Sequence, residues 1–146
     1  MECLADLKNA ESLSVDKIPV LDYDNFFDLI QNILKADCFH CVNYFAYDAG
    51  DNLQLVICIA DDLRHNLSIV SHTLPFYKIN SSFTSLSKIF PELQIFEREI
   101  HENFGIEFIG HPNLKPLRYA HDRAERLISI EQFPFKGADG GKIYAL

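Results

Sequence analysis

A chain of 146 residues with a formal charge of −8, 48 % hydrophobic and 12 % aromatic residues, and twelve phenylalanines has the size of one domain and ample material for one buried core, which excludes intrinsic disorder. The acidic balance, with no Lys/Arg cluster, speaks against nucleic acid or an anionic lipid surface as the main partner, since both recruit basic clusters. The longest apolar stretches, such as residues 53–60, fall well short of the ~20 residues that cross a bilayer, so membrane association is expected only through a partner.

Residues 1–20 read as a polar lead. Its start carries Glu2 and Asp6 and no basic end before an apolar run, so a secretory signal is not expected and a cytoplasmic setting is. In that setting the even number of cysteines, Cys3, Cys38, Cys41 and Cys58, does not imply disulfides.

The first predicted element is a helix capped by Asp22 or Asp24 and running to about Lys35, because Phe26, Phe27, Ile30, Ile33 and Leu34 recur on one face. Two strands, residues 42–47 and 53–60, flank Gly50-Asp51-Asn52, the pattern of an antiparallel hairpin. In the second strand Leu53, Leu55, Ile57 and Ile59 share one side. Residues 61–66 are polar and turn the chain into a third strand, 67–74, ended by Pro75. One face of this sheet should pack on the helix.

A loop over residues 76–82 and a short helix over 84–90, stopped by Pro91, come next. A second helix is expected over 93–104, with Leu93, Phe96, Ile100 and Phe104 as its apolar stripe and Arg98, His101 and Glu102 pointing away. Gly105 stands where a helix ends in a left-handed turn, with Ile106 folding back on it. From Glu107 onward, Gly110, Pro112, Pro116, Pro134 and three late glycines predict an extended arm.

Few residues suggest chemistry. Cys38-Phe39-His40-Cys41 is a CxxC, but a zinc or cluster site needs four ligands, which Cys58 and His72 would have to complete. A thioredoxin-type motif would start a helix after a strand, whereas this one follows a helix and enters a strand. Reduced buried cysteine is the expected state. Glu97, Glu99, His101, Glu102 and His111 lack the spacing of a metalloprotease site, and a solvated or partner-facing helix surface is expected instead. His72, in a strand, should be hydrogen-bonded scaffold. There is no phosphate loop, dinucleotide fingerprint or nucleophile elbow. Gly137, Gly140 and Gly141 lie in the tail, and the aromatic run Phe39, Tyr44, Phe45 and Tyr47 is expected in core or interface packing.

The stretch Phe96-Glu97-Arg98-Glu99-Ile100-His101-Glu102-Asn103-Phe104-Gly105-Ile106, followed by Gly110-His111-Pro112-Asn113-Leu114, resembles the signature of the 30 kDa subunit family of respiratory complex I. That family extends to the matching subunit of membrane-bound, energy-converting nickel-iron hydrogenases. An E-R-E helix start, an acidic residue, an F-G-I helix end and a G-H-P turn before basic residues occur in order, and the resemblance spans about residues 21–118. Glu102 stands where the family usually has Asp, Asn103 where it has a large apolar residue, and Lys115 where it has Arg. Pro116 follows where a second Arg is common.

The resemblance implies an α+β domain over 21–118, with an N-terminal helix, a three- to four-stranded mainly antiparallel sheet, two consecutive helices and an extended C-terminal arm over 119–146. It implies a non-catalytic accessory subunit on the cytoplasmic face of the membrane, with no flavin, cluster or metal of its own. The partners it implies are the large subunit related to nickel-iron hydrogenases and the small iron-sulfur subunit. The docking edge would consist of Glu97, Arg98, Glu99, Glu102, Gly105, Gly110, His111, Pro112, Lys115 and Arg118. A small metal- or thiol-redox protein using Cys38 and Cys41, and an interaction domain unrelated to respiration, are the alternatives.

Overall fold

The computed structural model describes residues 4–75 and 81–118, and of the tail only the backbone of residues 135–136 and 143–144. Helix α1, Tyr23–Leu34, begins where Asp22 caps it: the Asp22 carboxylate accepts the Asn25 N–H at 3.0 Å. Phe26 and Ile30 are fully buried, and Leu34 nearly so.

Strands β3 (Phe39–Asp48), β4 (Asn52–Asp61) and β5 (Asn66–Pro75) form an antiparallel meander. Gly50, at φ 95°, makes the first hairpin turn, and its N–H is held by the Asp48 carboxylate at 2.8 Å. Tyr44, Ile57 and Val70 lie opposite one another across the three strands, and Leu55 and Leu74 share their face. Helix α1 packs on that face, and these residues form one core cluster with Phe26 and Ile30. A bulge between Cys41 and Asn43 leaves Val42 exposed on β3.

The sheet is wider than the sequence pattern suggests. Strand β1, Ala5–Lys8, pairs antiparallel with the first half of β5, and β2, Val20–Leu21, pairs parallel with its middle. The order is β1-β5-β4-β3, with β2 also on β5, giving five strands. Strands of four and two residues carry too few positions for a periodic signal; the open edge of β5 recruits them.

Beyond the sheet, β6 (Ser82–Thr84) and β7 (Glu107–Ile109) pair in parallel, so the segment expected to begin an extended arm at Glu107 first makes a strand. Between them stand two 3-10 turns, Leu86–Lys88 and Pro91–Leu93, and helix α2, Gln94–Phe104. The helix expected over 84–90 is therefore a single tight turn, and Pro91 opens the next turn rather than only stopping the last. Gly105 closes α2 at φ 71°, its N–H donating to the His101 carbonyl at 2.8 Å. Leu86, Leu93, Ile100, Ile106 and Phe108 are all buried in the same core cluster. At roughly 1.5–3 kcal/mol each, five such side chains contribute about 10 kcal/mol gross, comparable to the net stability of a domain, so the segment from Leu86 to Phe108 that carries α2 is part of the core.

The loop expected over 76–82 lies outside the described residues except for its last positions, where Ser82 starts β6. The arm over 119–146 lies outside them too, apart from the backbone pairing of β8 (Phe135–Lys136) with β9 (Ile143–Tyr144).

Candidate functional site

The first turn of α2 sends Glu97 inward. Its side chain is 0 % exposed. One carboxylate oxygen accepts the Leu86 N–H at 2.7 Å; the other accepts the Ser85 and Ser87 hydroxyls, both at 2.5 Å, and the Ser87 N–H at 3.4 Å. The amides at the start of a 3-10 turn have no partners within it, so Glu97 acts as a remote cap, and four donors stabilise its buried charge.

The Tyr23 hydroxyl donates to the Thr84 carbonyl at 2.7 Å. Burial, and then the Glu97 charge, pushes the Tyr23 phenol far above its usual range. Burial does the same to Tyr44, with Tyr23 and Glu97 adding to it. His72 Nδ1 donates to the Leu21 carbonyl at 2.9 Å, a scaffold role, and its ring meets Tyr23 and Phe83 edge-on. The expectation that Glu97 faces a neighbouring subunit is thus corrected: it is sealed inside, held by a loop of its own chain.

The next residue, Arg98, and Glu102 one turn beyond it grip a single stretch by its backbone. Arg98 donates to the carbonyls of Lys115 and Pro116 at 2.7 and 2.9 Å. Glu102, only 2 % exposed, accepts the N–H of Leu117 at 2.9 Å and of Arg118 at 3.2 Å. A cation sits on carbonyls and an anion on amides, each matched to the group it meets. Glu102, expected on a solvated or partner-facing helix surface, is covered by residues 117–118 instead. Arg118 also pairs with Glu99 at the rim. The grip uses the main chain of 115–116, so neither Lys115 in place of Arg nor Pro116 weakens it.

The turn between β7 and this stretch is similarly anchored. Gly110 has φ 85°, and a Cβ there would come within 3.0 Å of the Lys88 side chain. His111 Nε2 donates to the Gln94 carbonyl at 3.1 Å, while Nδ1 accepts the Asn113 N–H at 2.9 Å, an arrangement that needs the neutral ring with its proton on Nε2. His101 Nδ1 donates to the Ile106 carbonyl at 2.8 Å. Pro112, Lys115 and Arg118 remain exposed. Beside the turn, Ile89, Ile95 and Ile109 are 42 %, 61 % and 57 % exposed. Sequence reasoning missed these isoleucines, as it missed Ser85, Ser87 and Tyr23, whereas Tyr44 is in the core as expected. Only the breaks in the helical stripe at Ile89 and Ile95 hinted at them.

Of the CxxC, Cys38 lies in the turn before β3 and Cys41 within the strand, both partly buried and free. Burial, with Cys58 adding, raises the Cys41 thiol to about 12, and burial raises Cys58 as well, so their reactive thiolates are disfavoured. Among the described residues no group of three or more His, Cys, Asp or Glu is arranged to hold a metal, and no helix is long and apolar enough to cross a membrane. Cys3 lies outside the described residues.

Comparison with known proteins matches residues 20–135 to the family described as respiratory-chain NADH dehydrogenase, 30 kDa subunit. Among solved structures, a chain from the membrane-bound sulfane sulfur reductase, an archaeal respiratory membrane complex, shares the fold with a TM-score of 0.62. It is 18 % identical, over 83 % of this chain and 71 % of that one.

Proposed function

The chain belongs to the family of the respiratory-chain NADH dehydrogenase 30 kDa subunit, and from that premise we propose that it is a non-catalytic accessory subunit of a complex I-like, membrane-associated oxidoreductase. Its partners in this reading are the large subunit related to nickel-iron hydrogenases and the small iron-sulfur subunit, which carry the metal centres. The subunit seats them for electron transfer on the cytoplasmic face of the membrane, and the assembly is of the energy-converting hydrogenase or NADH dehydrogenase type. The family match across residues 20–135 is the observation that carries this reading.

The α2 region supports it in a different manner from a row of outward charges. Glu97, Arg98 and Glu102 spend their bonds on this chain's own backbone and serines, which makes the edge rigid before any partner arrives; a pre-organised edge loses less entropy on docking. What such an edge offers a neighbour is Ile89, Ile95 and Ile109 around the Gly110-His111-Pro112 turn, with Lys115 and Arg118 beyond it. An apolar centre with a polar rim is the usual anatomy of an interface.

The test is a mild-detergent pull-down of the full chain from its native membranes, with co-purifying subunits identified and metals counted. Recovery of a large subunit with its iron-sulfur partner is expected, together with its loss from the Ile109→Asp variant at unchanged melting temperature. A lone chain that retains zinc or iron would overturn the reading.

A further inference from the structure

We draw no further inference here: the strongest candidate, the face of the sheet turned away from α1, where Phe45, Tyr47, Val56, Cys58 and Ile69 make an apolar layer outside the core cluster, carries nothing, because nothing in the structure shows what covers it.

Discussion

Glu97 shows how a charged residue is read differently by its position and by its surroundings. On a helical wheel it borders the apolar stripe, which suggests a surface group open to substitution. In the fold it is the common acceptor for Ser85, Leu86 and Ser87. Glu97→Ala leaves two hydroxyls and two amides without their acceptor in the core and should cost about 3 kcal/mol, measured by chemical denaturation. Glu97→Lys should be worse, since it buries a cation against donors; full stability in either variant would refute the capping role. The neighbouring phenols make a prediction in pH. Tyr23 and Tyr44 have folded values raised above the unfolded value of about 10. Their contribution is therefore complete below pH ~10 and is lost as pH rises past it, because only the unfolded state then releases their protons. Phenolate absorbance from these two of the six tyrosines should rise together with the loss of circular dichroism, and an earlier rise from all six would contradict their burial.

Among the elements, α1 and the three long strands were legible because each buries one face over ten or more residues, long enough for a period to show in Phe26 and Ile30 or in Leu53, Leu55, Ile57 and Ile59. Strands β1, β2, β6 and β7 were not, since each spans two to four residues and exists only through a partner far along the chain. The motif was half legible: its F-G-I end closes α2 at Gly105 as the sequence implies, but nothing local tells that Arg98 and Glu102 hold residues 115–118 rather than each other. That contact yields a test of the clasp. Glu102→Ala removes the acceptor for Leu117 and Arg118 while sparing the core cluster of sheet and α2. Amide exchange at 117–118 should accelerate strongly, while exchange in β4 stays unchanged. Equal acceleration in both places would mean that the clasp and the core are one cooperative unit.

For the whole molecule, the two sides of the sheet are closed differently. The β5 side is covered by β1 and β2, while β3 carries a bulge with α2 lying against it, both recognised ways of blunting an edge. A strand added directly to β5 would have to displace β1 or β2, which already occupy its edge. The same arrangement orders events in time. Strands β3, β4 and β5 are joined by short turns and can zip as each emerges, but β1 and β2 lie some fifty to sixty residues ahead of the strand they pair with. During synthesis β1 and β2 leave the ribosome before their template does, and closure of the β5 edge is among the last events in the formation of the sheet.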